Sequence, residues 1–184
     1  MGNVCVFFAE GFEEIEALTV VDLLRRADVE TRMVSVTGEH TVTGSHQIRV
    51  GMDGLFEEMD FSDTEMLVLP GGMPGTRNLE AFQPLMDLTE DFYQQGKKIA
   101  AICAAPSILG HRGMLKGKKA CSYPDFEPHL EGAEVSRRNA EVSGSIITSR
   151  GMGTAVDFGL AILSVLVGEK EAEAMAEKIM YQHM

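Results

Sequence analysis

The chain has 184 residues, 45% of them hydrophobic, which is material for one domain over residues 1–184 with a sizeable buried core. Its 28 acidic against 16 basic residues give a formal net charge of -12, which repels phosphate backbones and anionic lipid, so neither a nucleic-acid partner nor a membrane is expected. No run of about 18 apolar residues occurs, residues 1–8 show no basic leader, and three cysteines are too few for a disulfide scaffold, so a reducing cytoplasm is the expected compartment.

Apolar runs alternate with amphipathic stretches along the chain. Asn3–Phe8 is β-branched and aromatic and reads as a buried strand. Glu14–Arg26 reads as a helix, because Ala17, Val20, Val21 and Leu24 share one face. Residues 30–36 form a second predicted strand, 37–44 a turn-rich link and 47–50 a short strand. Residues 66–69 are a fourth apolar run, stopped by Pro70-Gly71-Gly72. Residues 84–95 read as a helix ended by Gly96, 98–103 as a strand, and 104–112 as the helix leading out of it. Residues 118–121 and 146–148 are further strands, 123–139 an irregular surface excursion, and 154–167 and 169–181 the last two helices.

Strands alternating with helices predict an α/β fold, a mostly parallel sheet covered on both faces. Sites in such sheets form beyond the carboxyl ends of the strands. That rule selects four loops: residues 9–16, 70–78, 103–107 and 149–154.

The third loop carries the strongest signal. In Ile99-Ala100-Ala101-Ile102-Cys103-Ala104-Ala105-Pro106 an apolar strand runs into a cysteine, two small residues and a proline suited to a helix's first turn. This is the pattern of a nucleophile elbow. A helix start behind the sulfur is expected to favour thiolate and lower the pKa of Cys103. A cysteine at a strand end is otherwise an inert core residue; here the turn around it argues for function.

Pro70-Gly71-Gly72-Met73-Pro74-Gly75 allows positive φ and close backbone approach, and can aim an N–H at an oxyanion. No Gly-Lys-Ser/Thr follows, so it is not a phosphate loop. In Gly11-Phe12-Glu13-Glu14-Ile15-Glu16 the helix dipole accounts for Glu13 and Glu14. Glu16 differs by phase: it borders the apolar face and can reach back over the sheet edge. A carboxyl beside a thiolate has its pKa raised by burial and like charge, and can then donate or move a proton.

No histidine stands where a base is needed. His111 lies about 12 Å along the helix from Cys103. His40, His46, His129 and His183 read as solvated surface residues. Cys5, Cys103 and Cys121 show no metal-ligand spacing, so no metal is expected.

At these residues the chain resembles the ThiJ/PfpI superfamily, in its DJ-type branch. The motifs that carry the resemblance are Ala9-Glu10-Gly11-Phe12-Glu13-Glu14-Ile15-Glu16, Leu69-Pro70-Gly71-Gly72, Ala100-Ala101-Ile102-Cys103-Ala104-Ala105-Pro106 and Thr148-Ser149-Arg150-Gly151-Met152-Gly153-Thr154. The resemblance implies a flavodoxin-like three-layer sandwich, usually a homodimer. It implies Cys103 as nucleophile, Glu16 as the carboxyl bonded to it, and the N–H groups of Gly72 and Ala104 as an oxyanion hole. Protease-like members carry a His where this chain has Ala104, and class I amidotransferases need a downstream His-x-Glu that residues 149–157 lack. Some DJ-type members carry a His where this chain has Tyr123.

The expected function is therefore a cofactor-free glyoxalase or deglycase acting on a small-molecule carbonyl. A redox-sensing, stress-protective protein with an oxidisable Cys103 is the alternative. Thiazole monophosphate biosynthesis, a name long given to similar chains, has no phosphate motif here to support it. Ile15 and Leu18 fall off the sheet-facing side of their helix, which together with the resemblance predicts a homodimer.

Overall fold

The pattern of β-branched and aromatic residues in Asn3–Phe8 places β1 at the centre of the molecule. A computed structural model describes residues 3–182, so His183 and the first two residues lie outside it. All six residues of β1 are buried, as a strand covered on both faces requires. Its side chains alternate between two cores. Val4, Val6 and Phe8 face one with Ala17, Val20, Leu24, Phe158 and Ile162. Cys5 and Phe7 face the other with Leu67, Leu69, Leu85, Ile99 and Ile108.

The elements follow in order as β1, α1 (Glu14–Arg26), β2 (Thr31–Ser35), β3 (Thr41–Thr43), β4 (Arg49–Gly51), β5 (Gly54–Leu55) and β6 (Thr64–Leu69). Then come α2 (Gly75–Ala81), α3 (Gln83–Gln94), β7 (Lys98–Ile102), α4 (Pro106–His111), β8 (Lys119–Ala120) and β9 (Glu134–Val135). β10 (Ala140–Ser143), β11 (Ile146–Ser149), α5 (Ala155–Val167) and α6 (Glu169–Lys178) complete the described chain. The central sheet has seven strands in the order β10-β11-β7-β6-β1-β2-β5. Every pairing in it is parallel except β10 with β11. Helices cover both faces, so the fold is the expected α/β three-layer sandwich. α1 and α5 lie on one face, close enough that a Cβ on Gly159 would stand 2.4 Å from Leu23.

Several details differ from the sequence reading. Residues 75–81 form a helix directly after the glycine loop, where glycine and proline masked the start. The link over 37–44 contains β3, which pairs with β4 as a hairpin beside the main sheet. The strand expected at 118–121 shrinks to β8, which pairs with β9 and stays out of the central sheet. β10 was not expected at all. It pairs with β11 across Gly144-Ser145, with Gly144 at φ 64, the two-residue turn that a hairpin uses.

Candidate active site

The carboxyl ends of β1, β6, β7 and β11 bring the four selected loops together around Cys103. The cysteine follows Ile102, the last residue of β7, and holds φ at 66, a left-handed conformation that costs a non-glycine residue free energy. Two hydrogen bonds clamp its backbone there. Its N–H donates to Ser149 O at 3.0 Å, and its carbonyl accepts from Tyr123 N–H at 2.8 Å. Cys103 is half-buried, whereas Cys5 and Cys121 are buried.

Glu16 reaches this sulfur because Glu13 begins α1 as its cap. Glu13 Oε2 accepts from Glu16 N–H at 2.7 Å, which starts the helix so that Glu16 points over the sheet end. The Glu16 residue is 1% exposed. Its Oε2 accepts from Gly71 N–H at 3.0 Å. Its Oε1 is buried with no N–H or O–H donor among the described residues, and the group it faces is the Cys103 thiol.

Glycine makes this proximity possible. A Cβ on Gly71 would stand 2.6 Å from both Cys103 Cβ and Glu16 Oε2. One on Gly72, at φ 93, would stand 2.4 Å from Glu13 N. With no side chain in the way, the Gly72 N–H reaches the Cys103 sulfur, as does that of Ala104.

Burial pushes the Cys103 thiol up to about 12, and the charge and hydrogen bond of Glu16 push the same way, against the N–H groups of Ala104 and Gly72. Burial likewise raises Glu16 to about 7, with the nearby charge of Glu13 adding to it. Groups this close titrate as a pair. The pair gives up one proton near neutrality and holds the second well above it. When the remaining proton sits on Glu16, the charge that opposes the thiolate is gone, and the two N–H groups face the sulfur anion. The expectation that a helix start alone would lower the Cys103 pKa is therefore corrected. α4 has only six residues and begins at Pro106, whereas burial and a like charge act at contact.

The other candidates resolve differently. Glu14 stands in the first turn of α1, where the helix dipole favours it, and it is 4% exposed. Its Oε1 accepts from His46 N–H at 2.7 Å, and its Oε2 lies 2.9 Å from His46 Nδ1. Burial opposes its charge, yet these bonds hold its carboxyl below the usual range, and the carboxylate in turn raises His46. Glu13, Glu14 and His46 bring ligand atoms within 4.8 Å of one another, but the oxygens of Glu14 are already engaged by His46 and Ser45. His111 sits on the surface between Glu80 and His129, at 2.7 and 3.1 Å. Tyr123 is half exposed at the mouth of the site. Sequence reasoning overlooked Gly71, which binds Glu16, and Gly151, which lines the site opposite Cys103. Both stand two residues past the end of a strand, and that position was the available signal.

The DJ-1/PfpI family model matches residues 2–165. The chain belongs to the DJ-1/PfpI family. A DJ-1/PfpI structure, "Toxoplasma gondii DJ-1, oxidized", superposes with a TM-score of 0.95 at 33% identity over all of both chains. Protein DJ-1 homolog B of Arabidopsis thaliana is 34% identical over 92% of this chain. The chain spans 39% of that relative's length and 45% of homolog A's. A Pyrococcus abyssi relative named as a deglycase is 30% identical over 80% of this chain and 89% of its own length. The superposition on the Toxoplasma gondii structure shows that the fold described above is that of a DJ-1 protein.

Proposed function

We propose that the chain is a cofactor-free enzyme acting on reactive dicarbonyls or their adducts, of the glyoxalase or deglycase type. The observation that carries this reading is the buried Glu16 carboxyl, titrating near 7 with one oxygen turned to the Cys103 thiol. A carboxyl with that pKa gives and takes protons at neutral pH. The similarity to a protein named as a deglycase supports the same reading.

The Cys103 thiolate adds to the aldehyde carbon. A C–S bond forms, the carbonyl π pair passes to oxygen, and that oxygen takes the proton of Glu16 while the Gly72 and Ala104 N–H groups stabilise its developing charge. The Glu16 carboxylate then moves the hydrogen of the attacked carbon to its neighbour, giving a thioester that water hydrolyses to a 2-hydroxy acid and free thiol. Oxidation of one carbon balances reduction of the other, so no nicotinamide, metal or glutathione enters. The test is lactate formation from methylglyoxal in metal-free, glutathione-free buffer. Activity in the wild type that is lost in Cys103→Ser and Glu16→Gln supports the proposal; equal lactate in all three, or none in the wild type, sinks it.

A redox-sensing role is the second reading. It is favoured by Cys103 being the one cysteine of three that is not buried, with two N–H groups set to stabilise an oxidised sulfur. Oxygen added to Cys103 by mild peroxide, without dicarbonyl turnover, selects it.

We also propose a homodimer built on the outer side of α1. Ile15 and Ile48 are half exposed there, and with Leu18, Val156, Ile179 and Met180 they line an apolar groove of about 710 Å³. Among the described residues no helix is long and apolar enough to cross a membrane. The unpaired cysteines fit a reducing cytoplasm.

A further inference from the structure

We infer that Gly151 sets substrate size in the Cys103 site: it leaves open a methyl-sized space that accepts the small substituent of a 1,2-dicarbonyl and rejects bulkier ones. The inference rests on the dicarbonyl reading above. Its ground is a contrast among the glycines of the site. At Gly11, Gly71, Gly72 and Gly75 a Cβ would come within 2.4–2.6 Å of a neighbouring atom, so packing forbids any side chain. Gly151 is under no such compulsion. Its φ of 161 and ψ of -168 are extended backbone that any residue adopts. Among the described residues, the three atoms nearest a Cβ there would be Tyr123 Cδ2 at 3.6 Å, Glu16 Oε1 at 3.9 Å and Cys103 Sγ at 4.0 Å. All three are ordinary van der Waals distances.

The point that a Gly151 side chain would occupy is therefore open, and its three nearest neighbours are groups of this site. One is the nucleophilic sulfur. One is Glu16 Oε1, which faces the Cys103 thiol. The third is the edge of an aromatic ring that is 47% exposed at the mouth. Once sulfur bonds to an aldehyde carbon, the group on the neighbouring carbonyl lies beside both sulfur and carboxylate, which is where this space stands. A hydrogen or a methyl fits it. A larger group meets the Tyr123 ring, whose backbone is fixed to Cys103 by the bond between Tyr123 N–H and Cys103 O. Tyr123 is thus the outer wall of the same selection.

The test is Gly151→Ala, with Gly153→Ala as control because none of the described residues it could meet lies within 4 Å of a Cβ at Gly153. The readout is the ratio of kcat/KM for methylglyoxal to that for glyoxal, which carries hydrogen in place of methyl. Filling the space should lower this ratio about 10-fold or more, the discrimination usual for one methyl in a fitted pocket. An unchanged ratio overturns the inference. Tyr123→Ala should move selection the other way, raising phenylglyoxal relative to methylglyoxal at least about 10-fold; no rise counts against the wall. If the wild type turns over no dicarbonyl, the activity reading fails on its own. The space is then tested by the ratio of iodoacetamide alkylation to peroxide oxidation at Cys103, because iodoacetamide brings a substituent and peroxide does not. Gly151→Ala should lower that ratio about 10-fold, and equal slowing of both reactions overturns the inference.

Discussion

Replacing Glu16 with glutamine should remove a pH dependence from the stability of the fold. The Glu16 carboxyl is raised from 4.5 to about 7. At roughly 1.4 kcal/mol for each pKa unit, the folded state disfavours its ionised form by about 3 kcal/mol. The sign follows from proton uptake. Between the two pKa values the folded chain holds a proton that the unfolded chain has lost, so stability falls as pH rises. The contribution is fully present below about pH 4.5 and is lost as pH climbs through about 7. Urea unfolding of wild type and Glu16→Gln, measured in steps from about pH 4.5 to about pH 8, isolates the effect, because every other titrating group is common to both chains. The wild type should lose about 3 kcal/mol relative to the variant across that range, whatever their difference at the acid end. Parallel curves would show that Glu16 ionises at its ordinary pH and that its burial beside Cys103 has no energetic consequence.

Iodoacetamide should label Cys103 first, with Cys5 and Cys121 protected until unfolding, as peptide mapping will show; both are 0% exposed. The rate of that labelling should step up near pH 7, where the pair gives up its first proton, and the step should vanish in Glu16→Gln. Gly71→Ala should cost about 2 kcal/mol or more in urea unfolding, because its Cβ would stand 2.6 Å from both Cys103 Cβ and Glu16 Oε2, while Gly153→Ala stays near neutral. Light scattering should give twice the 20.1 kDa of one chain, and Ile15→Lys should halve it.

The strands and helices that bury a continuous apolar face were legible in the sequence, as β1 and α1 show to the residue. Cys103 was legible because the strand, the small residues and the proline around it are all local. Glu16 was legible only by its phase on α1, since the contact with Cys103 is made across the sheet. The raised pKa of the Glu16 carboxyl follows from burial and like charge as the sequence predicts, whereas the raised pKa of the Cys103 thiol was not legible. It depends on burial and on a like charge from a distant segment, and these outweigh the helix start that the local pattern advertises. The partner of Glu14 was not legible for the same reason: His46 lies 32 residues away on the β3–β4 hairpin. Elements with two to four residues, such as β3, β8 and β10, are set by their neighbours rather than by their own periodicity.

The two borders of the central sheet bear on how the chain behaves when crowded. On one side the ladder stops at β5, only two residues long, and on the other at β10, four residues that run against the direction of the rest. A free border invites another molecule's backbone in proportion to the length of unpaired amide it displays. Two residues are too few to template a strand, and the four of β10 offer only a short ladder. Growth by adding strand to strand is therefore poorly supported at both borders. The homodimer proposed on the outer face of α1 would instead join side-chain surfaces, an association that closes after one partner and does not run on into fibres.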